Sequence, residues 1–376
     1  MVTTVWLAAR TLHATSAGGH IWVYLNWALG LRSLGYRVVW LELTSPKDPR
    51  DKFKCRLERL RHRLAPYGFA DCIAVCSTSG SAYVPEDVHL VSLETAAEAD
   101  LLLNMAYGVA APDLARFKRT ALIDIDPGLF QIWVAGGNYR VGRHDAYFTI
   151  GETIGRPGGN IPECGIEWQY TPPCVSLDWW PVRRARPEAG FTTVSSWQTN
   201  QWIEHGGSAY KNDKRAGFVP FIGLPRHTER RLELILHLSE ADERDRARLA
   251  KLGWRVRDSQ AVAATPWDYQ TQIQQAAGEF SCAKPSCVRL QNAWISDRTL
   301  CFLATGKPAI VQHTGPSRFL PDSEGLLRFR DIEEAVKSLE KVACDYESHC
   351  GKARNLAEEF FDAKKVVKRV LSRALA

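Results

Sequence analysis

A chain of 376 residues is too long for one ordinary hydrophobic core and short for three, so two domains are expected. Apolar residues make up 45% and charged residues 24%, with no low-complexity run or internal repeat, which excludes a disordered chain and a solenoid. The net charge of +6 is small for this length and its basic residues are interspersed with acidic ones, which argues against a nucleic-acid partner.

The first residues lack a charged segment followed by a continuous apolar stretch, and nothing later is long and apolar enough to span a bilayer; a cytoplasmic protein is expected. Residues 2–9 form a short apolar run. After a polar loop come Gly18 and Gly19, then Ile21, Leu25, Ala28 and Leu29 at helical spacing as far as Gly35, and then a strand at 36–43. Strand, glycine-bearing loop, helix and strand make a right-handed βαβ unit with parallel strands. The basic stretch 56–63 reads most simply as the solvated face of a helix, with a patch for phosphates or an anionic surface as the alternative. Further short strands are expected at 70–75, 101–105 and 121–124, consistent with an open parallel sheet covered on both faces.

The periodicity stops around Pro172, Pro173 and Trp180, and a polar, turn-rich segment follows, placing the first domain at 1–180. Strands are then expected at 191–195, 232–238, 254–256, 279–283 and 309–312, with helices at 240–252, 267–277 and 297–305. This is a second parallel-sheet domain, spanning 181–345, and a long amphipathic helix over 346–376 ends the chain. The fold class is therefore α/β, with two Rossmann-like parallel-sheet domains. The ten cysteines, among them Cys72 with Cys76 and Cys282 with Cys287, never form two CxxC pairs or a CxxC with paired histidines. Buried free thiols are expected, not a metal site.

Residues 278–315 resemble the donor-binding half of the second domain in GT-B glycosyltransferases, where a strand, a loop and a helix ending in a small residue, glycine and proline precede another strand. The run 304–311, ATGKPAIV, matches that turn, and Gly18, Gly19 and His20 resemble the glycine-rich first loop of the acceptor domain. The resemblance implies two domains facing across a cleft, a C-terminal helix packing back on the first domain, and a nucleotide sugar, from UDP or TDP, as co-substrate without any other cofactor. Many members hold the donor ribose with a glutamate five residues before the turn glycine. Cys301 stands there in this chain, so the ribose contact is expected elsewhere, with Asp297 as the candidate.

The run Ser296, Asp297, Arg298, Thr299 opens a helix, whose unpaired N–H groups and partial positive charge favour a pyrophosphate; Arg298 adds forked donors for phosphate oxygens. A plain N-cap at Ser296 or Asp297 and a salt bridge at Arg298 are the competing readings. Glu279, Phe280, Ser281 and Lys284 stand at the end of a strand expected to face the cleft, where ligands of open α/β sheets gather, or else pair among themselves. Trp267 can stack on the donor base or merely pack. Gln312 and His313 follow another strand, and Ser195 and Lys211 lie in loops that can reach phosphate or sugar.

For the chemistry, His20 is the first choice as base, because it follows two glycines at a helix start and titrates near working pH; His13 and Asp126 are the fallbacks. Asp124, Ile125 and Asp126 formally spell DxD but read as a strand end and turn, so protein donors are expected to stabilise the leaving diphosphate without a metal. The acceptor is expected to be a small molecule or glycan. A binding protein that lost turnover and a nucleotide-sugar 2-epimerase are the alternatives; a dinucleotide oxidoreductase lacks its GxGxxG.

Overall fold

The computed structural model describes residues 3–45, 48–77, 88–156 and 159–376. Val2, the start of the first expected strand, lies outside them. Strands β1 (Thr4–Ala9), β2 (Arg37–Thr44), β3 (Ile73–Ser77), β4 (Leu101–Asn104), β5 (Thr120–Asp124), β6 (Ala146–Thr149) and β7 (Gln169–Tyr170) build one sheet in the order 3-2-1-4-5-6-7. All its pairings are parallel. After β8 (Phe191–Ser196), an antiparallel hairpin of β9 (Trp202–His205) and β10 (Ser208–Lys211) interrupts the alternation. Strands β11 (Leu232–His237), β12 (Arg255–Asp258), β13 (Gly278–Ser281), β14 (Ala309–Gln312) and β15 (Leu326–Phe329) complete a second parallel sheet in the order 12-11-8-13-14-15. Each sheet reverses its strand order beside its first strand, and ligands of open α/β sheets bind at such a switch point.

Helix α1 (Gly18–Ser33) follows β1, and its spacing in the sequence is amphipathic; in the structure Ile21, Trp22, Tyr24, Leu25, Trp27, Ala28, Leu29 and Leu31 are all buried. A helix apolar on every side must be covered on every side. The sheet covers one face, and the other two meet helices from the far end of the chain: α3 (Pro266–Gln275) in the second domain and α7 (Ala363–Ala374) at the C-terminus. Between α1 and these lie α2 (Arg50–Leu64) and, in the second domain, α4 (Asp297–Ala304) and α5 (Ile332–Cys344).

The single terminal helix expected over 346–376 is two helices. α6 (Tyr346–Leu356) runs into a π-helical turn (Ala357–Phe361) and breaks at Asp362, whose side chain caps α7 by accepting from Lys364 N. The break lets the chain exchange backbone hydrogen bonds with Val175, at 2.8 and 3.0 Å, before α7 lies against α1. Gly30 makes that approach possible, since a Cβ there would stand 2.9 Å from the Ala363 Cβ. The helix expected at 240–252 begins as a 3-10 turn (Glu240–Asp242) before an α-helix over Glu243–Lys251, and β3 starts three residues later than the apolar run suggested.

No helix among the described residues is long and apolar enough to cross a membrane. All ten cysteines are free; Cys76, Cys174, Cys282, Cys287 and Cys301 are buried, whereas Cys55 and Cys344 are exposed on helices, so burial holds for only part of the set. Trp22, Trp27 and Trp180 are core, with Trp22 and Trp180 packed at 4.7 Å between ring centres.

Candidate functional site

A cavity of about 620 Å³ opens where the carboxyl ends of both sheets face each other. The first domain supplies the loop from His13 to His20 and two side chains of α2, Arg56 and Arg59. The second supplies Val194 to Ser196 at the end of β8, His237 at the end of β11, Tyr269 on α3, and Ser296, Asp297 and Arg298 at the start of α4.

The first-domain wall is built from β2. Glu42 lies beside Ala9 in the parallel register and is fully buried at the carboxyl edge of the sheet. Its carboxylate accepts from Thr11 N and Leu12 N at 3.0 Å, from the Trp40 indole at 2.8 Å and from the Thr11 hydroxyl. A carboxylate with that many donors is satisfied despite its burial, and it pins the loop leaving β1. That loop presents the Arg10 carbonyl to His20 Nε2 at 2.8 Å. A carbonyl only accepts, so Nε2 carries the proton and the lone pair of neutral His20 sits on Nδ1. Burial lowers the His20 pKa below its ordinary value, partly opposed by the Arg10 carbonyl and by Asp126, and so keeps the ring neutral. His13 has no free lone pair: Arg56 Nη1 meets its Nδ1 at 2.8 Å and Asp48 meets its Nε2 at 3.3 Å.

Gly18 and Gly19 line the cavity and also permit a close approach between the two domains. A Cβ on Gly18 would stand 2.0 Å from the Thr265 carbonyl, and one on Gly19 2.5 Å from the Tyr269 ring. The glycines let the start of α1 dock on the second domain, where Gly18 N donates to Ala263 O at 3.2 Å and the Trp22 indole donates to Pro266 O at 2.8 Å.

The second-domain wall centres on Arg298. Its Nε bonds Glu279 at 2.7 Å and one Nη donates to Val194 O at 3.0 Å; the guanidinium is 9% exposed and Glu279 not at all. The remaining nitrogen, Nη2, has no partner. Glu279 Oε2 is likewise buried without a partner, and an unpaired buried polar atom is costly; the Arg298 side chain as a whole lines the cavity. Ser296 caps α4, its hydroxyl accepting from Arg298 N at 3.3 Å, so the N-cap reading of Ser296 holds alongside its place on the wall. Burial, and next the Asp126 carboxylate, pushes Asp297 up to about 7. Cys301, one turn further along α4, is 1% exposed and faces the core, so a longer residue at that position would meet packing, not the cavity.

Ser195, Ser296, Asp297, Arg298, Gly18, Gly19, His13 and His20 thus meet at one cavity, and the other expected residues do not reach it. Phe280 is core, stacked on Phe329 at 5.0 Å. Glu279, Ser281 and Thr299 are buried behind the wall. Trp267 packs outward on α2 against His62 and Arg63. Lys211 is tied to Asp213 at 3.2 Å and Lys284 to Gln201 at 3.3 Å, both beside the β9–β10 hairpin. Gln312 accepts from Ala283 N, tying the chain after β13 to the end of β14, and His313 Nδ1 accepts from Gly315 N in a local turn. Asp126 is exposed near the cavity, whereas Asp124 is consumed by Tyr107, Gln131, Thr149 and Asp126 N, so the formal DxD offers a single free carboxylate.

Sequence reasoning missed His237, Gln260, Tyr269, Arg56 and Arg59. The basic stretch on α2 held a legible signal, since two of its arginines line the cavity instead of facing only solvent. Lys214 was also missed. It is buried, donates to Cys282 O at 2.6 Å, and is pushed down to about 7 by burial and then by the nearby Arg298 charge.

No protein-family model matches the sequence, and no curated protein is similar to it in sequence. Solved structures do match in shape over the whole chain. Sucrose-phosphate synthase from Thermosynechococcus elongatus superposes with a TM-score of 0.55 at 11% identity, covering 99% of both chains. The Anabaena protein HepE in complex with UDP and glucose gives 0.55 at 10%, again with 99% of both chains. An α-glucosyltransferase in complex with UDP-glucose and DNA containing an abasic site gives 0.58 at 11%, with 100% of both. The two parallel-sheet domains and the returning C-terminal helix are therefore the GT-B architecture.

Proposed function

We propose that this chain is a glycosyltransferase that binds a nucleoside diphosphate sugar, in the first instance a UDP sugar, and transfers the sugar to an acceptor held against the first domain. The observation that carries the reading is Arg298: a buried guanidinium with one unpaired nitrogen, at the start of α4, on a cavity that also holds His20. A diphosphate seated there would meet the charge of that guanidinium and the N–H groups of the helix start together. The structures with UDP or UDP-glucose on the same fold support the choice of base.

In this reading His20 Nδ1 takes the proton of the acceptor hydroxyl as its oxygen attacks C1, the bond from C1 to the diphosphate oxygen breaks, and Arg298 with the α4 N–H groups takes up the charge that develops on the diphosphate. No step calls on a metal, and the hydrogen bonds that occupy Asp124 support this. Among the described residues only one carboxylate, Asp297, lines the cavity, which does not favour the epimerase. A thermal-shift panel with UDP, TDP and GDP tests the donor. UDP at 100 times its Kd should stabilise the folded protein by about 2.7 kcal/mol. Stabilisation by none of the three would sink the reading. UDP binding without hydrolysis or transfer of UDP-glucose would leave a binding protein.

Asp297 stands one turn before the family's ribose-binding position and is proposed to accept from the ribose hydroxyls. Its pKa of about 7 then gives a sign. The carboxylate charges as pH rises through 7, and a charged acceptor makes the stronger hydrogen bond, so UDP-glucose should bind tighter at pH 8 than at pH 6, by up to about tenfold per unit of pKa shift. UDP-glucose suits the titration because its diphosphate does not ionise in that range. Asp297→Asn should flatten the dependence; affinity that falls with pH in the wild type would remove the ribose role and place the carboxylate against the phosphates.

A further inference from the structure

Both walls of the cavity carry arginine. Among the described residues its lining side chains include Arg56, Arg59 and Arg298 and one carboxylate, Asp297. Arg298 has its own counter-ion in Glu279 at 2.7 Å, and Arg56 shares Asp48 with His13 at 3.3 Å. Arg59 has none among the described residues; its one polar contact is a long one, Nη2 to Cys55 Sγ at 3.9 Å. Its charge also bears on Arg63, whose pKa is lowered by burial and next by Arg59. Guanidinium cannot discharge at working pH, so two arginines one turn apart on a cavity wall, one of them without a partner, form a ready site for an oxyanion.

Position decides whose anion it is. The donor's diphosphate has its place on the second domain, at α4 and Arg298. Arg56 and Arg59 stand on α2 of the first domain, on the wall that carries His20, and the hydroxyl to be glycosylated must lie at His20. We infer that the acceptor carries an oxyanion, a phosphate monoester or a carboxylate, and that Arg59, with Arg56 beside it, binds that group and sets acceptor specificity. The inference rests on the glycosyl-transfer reading for the words donor and acceptor, but the anion site can be measured without it.

The experiment titrates the UDP-saturated protein with inorganic phosphate, glucose 6-phosphate, glucuronate and glucose by calorimetry. Phosphate and at least one sugar anion should bind alongside UDP, the sugar anion at least about tenfold tighter than glucose, the size of one charge-assisted contact of about 1.4 kcal/mol. Glucose 6-phosphate above glucuronate would make the group a phosphate, and the reverse a carboxylate. Arg59→Ala should remove the advantage over glucose and leave UDP affinity unchanged, and Arg59→Lys should restore part of it by keeping the charge. Glucose binding as well as the anions, anion binding unaltered in Arg59→Ala, or no anion binding at millimolar concentration would each overturn the inference. Anions that bind only by displacing UDP would overturn it too, by giving Arg59 to the nucleotide. Arg59-dependent anion binding by a protein indifferent to UDP would keep the site and sink the donor reading instead.

Discussion

His20→Ala is expected to lower the rate of glycosyl transfer by about 10²- to 10⁴-fold, the usual worth of a positioned general base, while UDP affinity stays within about twofold of the parent. The argument is geometric first. His20 borders the cavity, and its Nε2 proton is committed to the Arg10 carbonyl at 2.8 Å, which turns the basic Nδ1 into the free position. Glu42 holds the loop that carries that carbonyl, so the tautomer is set by a chain of contacts running back to β2. The pH profile gives a second measurement. Burial lowers the His20 pKa, so the neutral base persists below pH 6.5, and the acid limb of kcat, read at saturating UDP-glucose so that donor binding through Asp297 does not enter, should lie below that value. An acid limb above it, or full activity in His20→Ala, would take the base role away and leave His20 as a residue that orients the acceptor.

Arg298→Ala should do two things at once. It removes the buried guanidinium at the start of α4, so UDP should bind about 10- to 100-fold more weakly, in line with about 1.5–3 kcal/mol for a hydrogen bond to a charged group. It also strands Glu279, which has no exposed surface, and breaking a buried pair from one side costs about 3–5 kcal/mol. The two effects are separable. Adding Glu279→Gln to Arg298→Ala should return most of the melting temperature, because a neutral amide is far cheaper to bury, but it should return none of the UDP affinity. Recovery of both in the double variant would mean that Arg298 holds the fold and not the donor. Calorimetry below the lower melting temperature reads affinity, and thermal unfolding reads stability.

The sequence alone determined the architecture, because the signals for it are local and repetitive. Short β-branched and apolar runs alternating with helical spacing compel parallel strands with crossover helices, and doing so twice yields two such sheets. The turn at 304–311 needed only its own residues to be read, as did the opening of α4 by a serine cap. Tertiary structure alone decided which of the polar residues meet. Glu279 and Lys284 lie five residues apart, yet one disappears behind Arg298 while the other turns to the β9–β10 hairpin. Arg59 and Arg298 are far apart in the chain and line one cavity, because the crossing of α1 over α3 brings the two sheets' carboxyl ends face to face. Gly18 and Gly19 show the same division: their place in the first loop is written in the sequence, but what crowds them is the Thr265 carbonyl and the Tyr269 ring of the other domain, both closer than a Cβ permits. A partner so remote leaves no mark on local spacing, and only the folded chain identifies it.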